Sequence, residues 1–198
     1  MQWTFESLNN EFTVNNNGGI KRVKSFEEGK QTVFPGGTEK RTAYRFDFSD
    51  QHVIPQTLGI KHVSTWLCFD SASTTYLLAL IKKSGLSRVL KIKSVENFLI
   101  SMLKRFPYGS EEFVIKVEGG NMSEKGVSYE CSLRGERQGR VTGLVTARVA
   151  EKLVSSSFPP GVFHIEQLFD PFEFIESLAD HGVKFEEKEY ASLNPKID

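Results

Sequence analysis

Histidine is the side chain best suited to acid–base or metal chemistry near neutral pH, and the sequence contains four of them. No two of them stand four residues apart, and none lies in a carboxylate pattern that suggests a metal site. We therefore interpret His52, His62 and His181 as structural residues. His164 follows the turn Pro159-Pro160-Gly161, where irregular backbone can present a side chain to a cleft, so we keep it as a candidate site residue.

A cationic segment, KRTAYRFD at positions 40–47, offers guanidinium groups to a carboxylate, because arginine donates paired hydrogen bonds to that planar anion. Arg41 is interpreted as part of a solvated strand face. For Arg45 two interpretations are open, a solvated face and a substrate-binding role. Alternation places it opposite the face formed by Tyr44, Phe46 and Phe48.

Other candidates carry a weaker signal. Arg140 and Thr142 lie near the start of a predicted helix, whose positive end can bind an anion, although Arg140 is equally compatible with an exposed helix position. A further hypothesis is an unfamiliar enzyme in which His164, Asp50 or Tyr44 performs acid–base work.

The common signatures of self-contained enzymes are missing from the sequence. The glycine pairs lack the GxGxxG spacing that brings backbone close to a dinucleotide, and there is no P-loop, HExxH, CxxC or GxSxG motif. We therefore expect no cofactor and no metal to be bound by this chain alone. The 25 basic and 25 acidic residues give a formal charge of zero, so no sequence-wide field favours nucleic acid or a membrane.

Cysteine usage and hydropathy suggest the compartment. Cys68 and Cys131 both lie in strand-like apolar stretches, which suits reduced, buried thiols better than a disulfide framework. No apolar run approaches the roughly 18 residues of a membrane span, and the first residues lack the pattern of a signal peptide. We expect a cytoplasmic protein.

Two hydrophobic periods predict the elements. A period of two predicts four strands of one sheet, at 44–48, 63–69, 112–118 and 127–134, with further strands near 20–26 and 183–189. Glycines between positions 119 and 126 favour a hairpin that joins the strands at 112–118 and 127–134. A period of three to four predicts helices around 76–81, 95–103 and 139–155, the first ending at Gly85 and the second at Pro107. A last helix opens at Asp170-Pro171 and closes at Gly182.

The predicted order is strands first, then helices interleaved with an antiparallel pair of strands. This order differs from the regular alternation of strand and helix in a doubly wound parallel sheet. The predicted fold is therefore α+β, a mostly antiparallel sheet with helices packed on one face, formed as a single domain over residues 1–198. The segments 15–19 and 35–38 are predicted loops.

Several ordered blocks resemble the C-terminal domain of saccharopine-dehydrogenase-like proteins. They are TVFPG at 32–36, AYRFDFSD at 43–50, PQTLGI at 55–60 and PPGVFHIEQLFDP at 159–171. The resemblance spans roughly residues 3–190. It implies an α+β fold of the kind found in the C-terminal domains of saccharopine-dehydrogenase-like and glyceraldehyde-phosphate-dehydrogenase-like oxidoreductases.

In that family an N-terminal Rossmann domain binds NAD(P), while this part lines the substrate cleft and supports a homodimer. The resemblance therefore implies the substrate-side domain of a longer two-domain oxidoreductase, inactive alone, with a small-molecule substrate and with a Rossmann domain in the same or another chain as partner. It carries over no catalytic residue. Arg45, Tyr44, Asp50, Arg140 and His164 are the substrate-binding candidates, and a stand-alone, non-catalytic binding or assembly module is the alternative.

Overall fold

The computed structural model describes residues 2–16, 19–105, 109–120 and 129–190. The chain divides into two compact units. Unit 1 comprises Met1–Val33 and Gly37–Ser110, and unit 2 comprises Phe34–Gly36 and Glu111–Asp198. The assignment of residues 1–198 to one domain of a longer oxidoreductase stays a prediction.

Unit 1 contains two small antiparallel sheets and four α-helices within the described residues. The strands are β1 (Glu11–Asn16), β2 (Gly19–Lys24), β3 (Gly29–Val33), β4 (Lys40–Arg45) and β5 (Trp66–Leu67). The helices are α1 (Gln2–Ser7), α2 (Asp50–Thr57), α3 (Ala72–Lys83) and α4 (Lys93–Arg105), with a 3₁₀ helix at Leu86–Lys91. β1 pairs with β2, and the second sheet has the order β3-β4-β5.

The core of unit 1 lies between the second sheet and its helices. Leu8, Phe26, Phe46 and Leu78 are buried together, and apolar side chains of α3 and α4 pack against them. Phe26 reaches this core through a φ of 61°, a conformation that strains a bulky residue. Burial of its ring against Phe46 and Tyr44 offsets that strain.

Within its described residues, unit 2 contains one antiparallel sheet of order β6-β7-β8, formed by Glu112–Gly119, Tyr129–Glu136 and Lys184–Glu189. Its described helices are α5 (Gln138–Ser155), α6 (Ile165–Leu168) and α7 (Pro171–Glu176), followed by a 3₁₀ turn at Ala179–His181. One stripe of α5 packs with Phe113 and Leu133 around a second core of Val141, Phe169, Phe174, Leu178 and Val183. The buried side of α5 therefore packs against one face of this sheet.

Most predicted elements are present in the described residues, and the α+β class is confirmed. The antiparallel pairing of β6 with β7 is confirmed, with Ile115 opposite Leu133. Most of the predicted turn of this hairpin, residues 127–128 of the predicted strand, and Pro107, the predicted end of a helix, lie outside the described residues. Asp170 accepts hydrogen bonds from the amides of Phe172 and Glu173, so the predicted cap of α7 is confirmed. The structure adds α1, α2, α6, β1 and β3, which no pattern had indicated.

The prediction that four strands share one sheet is wrong. β4 and β5 pair with β3 in unit 1, whereas β6 and β7 pair with β8 in unit 2. A period of two defines the two faces of a strand but not its neighbour, which depends on long-range pairing. The strand at 63–69 shrinks to Trp66–Leu67, and the predicted loop at 15–19 begins and ends in strand residues. The loop at 35–38 is confirmed, with Gly36 at a φ of 77°.

Candidate functional site

A cavity of about 230 Å³ lies in unit 1 between β4 and the start of α3. Strand β4 contributes Lys40, Arg41, Thr42 and Tyr44. The segment from β5 into α3 contributes Cys68, Phe69, Ala72, Thr75 and Tyr76. The lining thus combines two cations, two phenols and two threonines with apolar surface, the mixture that suits a small polar ligand.

The first turn of α3 is built locally. Ser71 caps the helix, because its hydroxyl accepts a hydrogen bond from the amide of Thr74 at 3.3 Å. Buried Thr75 turns its hydroxyl back to Phe69, accepting from that amide at 2.9 Å. These bonds fix the segment that forms one wall of the cavity.

Two aromatic side chains differ in their freedom at the cavity. Tyr44 stacks on Phe26, with ring centroids 5.3 Å apart and an interplanar angle of 9°. Tyr76 is 67% exposed on the outward face of α3, next to exposed Leu77 and Leu80. One wall is therefore formed by a ring packed against the core, whereas the other continues into an open apolar helix face.

The cations of the cavity are also held differently. Arg41 Nη1 donates to the main-chain oxygen of Asp70 at 2.6 Å and to its carboxylate Oδ1 at 3.2 Å. Lys40 is exposed and forms no ion pair with any residue that the structure describes. Burial raises the pKa of the Cys68 thiol, so this cavity residue is a poor nucleophile at neutral pH.

Arg45, the first of the sequence candidates, does not line this cavity and is mostly enclosed. Its Nε donates to Glu28, its Nη1 donates to Ser64 Oγ at 3.0 Å, and its guanidinium carbon lies 4.5 Å from the centre of the Trp66 ring. Only 14% of the side chain is exposed. A carboxylate ligand would have to displace Glu28, whose pKa is lowered by hydrogen bonds from Lys21 and Arg45.

The other candidates do not line this cavity. Asp50 is an exposed residue in the first turn of α2, with Ser49 Oγ 3.4 Å from its carboxylate. Arg140 is exposed in the first turn of α5, and His164 is exposed at the start of α6, where its amide donates to Gln167 at 2.9 Å. Of the five predicted residues, Tyr44 alone is among the lining residues of the cavity. The roles predicted for the other four stay predictions.

A polar cluster follows β4 at the start of α2. Asp47 Oδ1 lies 2.8 Å from His52 Nε2 and accepts a hydrogen bond from Gln51 at 3.3 Å. Gln51 is buried and also donates to the main chain of Phe46 at 3.2 Å. The cluster ties α2 to the end of the strand, which agrees with a structural interpretation of His52.

The described residues contain no strand–turn–helix unit with the glycine-rich turn of a Rossmann dinucleotide site. Where β5 leads into α3, the turn carries Asp70 and Ser71 rather than glycines, and Gly36-Gly37 leads into a strand instead of a helix. No cluster of three or more His, Cys, Asp or Glu side chains in the described parts of the chain is arranged to hold a metal. None of the described helices is long and apolar enough to cross a membrane.

Neither the family models nor the curated proteins that were compared with the sequence give a match.

Sequence reasoning named Arg41 but assigned it to a solvated face, and it missed Asp70, Thr75 and Tyr76. Alternation does not identify the lining of the cavity, because Arg41 stands at a position of opposite parity to Lys40, Thr42 and Tyr44. Only the packing of α3 beside the strand reveals which residues surround a cavity, and no spacing rule connects position 41 with position 70.

Proposed function

We propose that this chain is the substrate-side domain of a saccharopine-dehydrogenase-like NAD(P)-dependent oxidoreductase. Its role is to hold an amino-acid-derived substrate in the cavity between β4 and α3 while a carbon–nitrogen bond is oxidised or reduced. The observation that carries the proposal is the lining of that cavity, where Lys40 and Arg41 complement carboxylate groups and Tyr44 and Tyr76 offer hydroxyls.

The nicotinamide cofactor belongs to a separate Rossmann domain in this proposal, in the same or another chain. That domain would supply or accept the hydride, and the isolated chain would be inactive. The exposed apolar face of α3, with Tyr76, Leu77 and Leu80, supports a partner at the cavity mouth, because ligand pockets commonly lie at domain interfaces. We further propose a homodimer in the cytoplasm, a compartment that suits the free thiols Cys68 and Cys131.

Calorimetry on the isolated chain tests the proposal. Glutarate, a five-carbon dicarboxylate, is a suitable probe because it can place one carboxylate near each of the two cations. We expect weak binding of glutarate and no binding of NADH or NADPH. Replacing Lys40 with Gln should weaken glutarate binding, whereas the same change at Lys188, an exposed residue of unit 2, should leave it unchanged. Tight binding of either nicotinamide by the isolated chain would overturn the proposal.

The alternative is a stand-alone, non-catalytic binding or assembly module. The sheet of unit 2 favours it, because Ile115 and Val117 are 53% and 54% exposed on the same sheet face as Leu133, which packs against the core of that unit. Such surface commonly marks an association site. Under this alternative Ile115→Lys would weaken self-association in analytical ultracentrifugation, while glutarate would not bind the cavity.

A further inference from the structure

Asp70 holds Arg41 from one side only. The guanidinium of Arg41 donates through Nη1 to both the main-chain oxygen and the carboxylate of Asp70. Among the residues that the structure describes, neither Nε nor Nη2 of Arg41 has a hydrogen-bond partner. These two nitrogens form a planar fork that matches a carboxylate.

Asp70 is itself anchored. Its second carboxylate oxygen accepts a hydrogen bond from the amide of Ser110 at 2.8 Å, so the aspartate joins the end of β5 to residue 110. The Ser110 amide, followed by the Arg41 side chain, lowers the pKa of Asp70, as expected for a charged carboxylate that accepts hydrogen bonds at both oxygens. A charged acceptor with a fixed backbone partner restricts the rotation of the arginine.

We infer that Asp70 is a positioning residue, which holds Arg41 so that its Nε–Nη2 fork receives a substrate carboxylate in the cavity. The inference rests on the proposed function, because it assumes that the cavity binds a carboxylate. Lys40 serves a second carboxylate, which makes a dicarboxylate the preferred ligand class. Asp70 itself does not contact the ligand, and its effect is transmitted through Arg41.

A double-mutant cycle separates positioning from a general structural effect. Glutarate affinity is measured by NMR titration, which reaches weak dissociation constants, for the wild type, Asp70→Asn, Arg41→Met and the double variant. The amide oxygen of asparagine can still accept from Ser110, so the local fold is retained. We expect Asp70→Asn to weaken glutarate binding about tenfold, the equivalent of one charge-assisted hydrogen bond. In the Arg41→Met background the same change should have no effect.

Two kinds of control separate carboxylate binding by the cavity from the positioning role of Asp70. Asp180→Asn, an exposed change in unit 2, should bind glutarate like the wild type, and thermal unfolding followed by circular dichroism verifies that each variant is folded. Failure of the wild type to bind glutarate would overturn the proposed function, and with it this inference. Two other outcomes would overturn the positioning role alone, provided that the wild type binds glutarate. In one, Asp70→Asn has no effect on glutarate affinity. In the other, Asp70→Asn weakens binding by the same factor whether position 41 is Arg or Met.

Discussion

Replacing Arg45 with methionine tests whether this guanidinium stabilises unit 1 or binds a substrate. Its contacts with Glu28, Ser64 and Trp66 predict a structural role. Methionine keeps much of the aliphatic length and removes the charge, so it preserves packing better than alanine. We expect the variant to fold with a lower free energy of unfolding and with an unchanged affinity for glutarate.

The magnitude follows from the exposure of the two partners. Exposed ion pairs contribute up to about 1 kcal/mol, whereas breaking a fully buried pair costs about 3–5 kcal/mol. Arg45 is 14% exposed and Glu28 is 41% exposed, which places this pair between the two limits. We expect a coupling energy of about 1–2 kcal/mol between the two side chains, with a further loss of roughly 0.5–1 kcal/mol from the cation–π contact with Trp66.

The assay is urea unfolding of the wild type, Arg45→Met, Glu28→Gln and the double variant. Both tryptophans of the sequence, Trp3 and Trp66, belong to unit 1, so tryptophan fluorescence reports the unfolding of that unit. Glutarate titration of the same variants supplies the second readout. A coupling energy near zero, together with a tenfold loss of glutarate affinity in Arg45→Met, would refute the structural interpretation and restore Arg45 as a ligand-binding residue.

Three further predictions concern acid stability, the second core and the thiols. The pKa of Glu28 is lowered in the folded protein, so the stabilisation that this carboxylate provides is present above its ordinary pKa of about 4.5 and is lost as pH falls through the lower folded value. In urea unfolding, Glu28→Gln should therefore show a smaller decrease in the free energy of unfolding below pH 4.5 than the wild type. Phe174→Ala should cost about 3–5 kcal/mol, because the ring is buried in the core of unit 2, and circular dichroism should detect the earlier transition. Burial raises the thiol pKa of Cys68 and of Cys131, so both should react with an aromatic disulfide reagent more slowly than a free thiol at pH 8.

Each of these three experiments has its own control. Glu176→Gln changes an exposed carboxyl group and should leave the acid transition unchanged; an equal effect at both glutamates would contradict the special role of Glu28. Val154 is 90% exposed, so Val154→Ala should be nearly neutral, and a Phe174→Ala variant as stable as this control would contradict the assigned core. Unfolding in urea should remove the thiol protection, and a folded protein that reacts equally fast would show that burial is not its cause.

Local patterns were sufficient where one element packs a single face against its neighbour. The stripe of α5 is of this kind, since burial of one side imposes a strict period on the sequence. Strand β6 alternates as strictly, but burial covers only part of its apolar face, where Ile115 and Val117 are 53% and 54% exposed. Helix α2 was missed because its sequence, DQHVIPQT, has no strong stripe and contains Pro55. Its attachment depends on buried Gln51 and on the pairing of Asp47 with His52, which are polar contacts without a period.

The sequence did not reveal which strand pairs with which, because the same alternating pattern is compatible with several neighbouring strands. A strand with one apolar face satisfies burial against any sheet of suitable length, and the choice depends on contacts between residues that are distant in sequence. Strand β5 illustrates this dependence, since it keeps only two residues although the pattern around it covers seven. The antiparallel order of β6 and β7 was predictable because a short glycine-rich connection leaves few other arrangements.

The two arginines of β4 show why residue type and alternation do not identify a binding residue. Both side chains carry the same charge, and in both the guanidinium contacts a carboxylate. Arg45 uses Nε and Nη1 within the fold and lies over a ring, so any ligand must compete with contacts that stabilise unit 1. Arg41 uses Nη1 alone beside a cavity, so a carboxylate can add to its existing contacts. Binding energy is available only from donors that folding has not already used, and for that reason the glutarate titrations should distinguish position 41 from position 45.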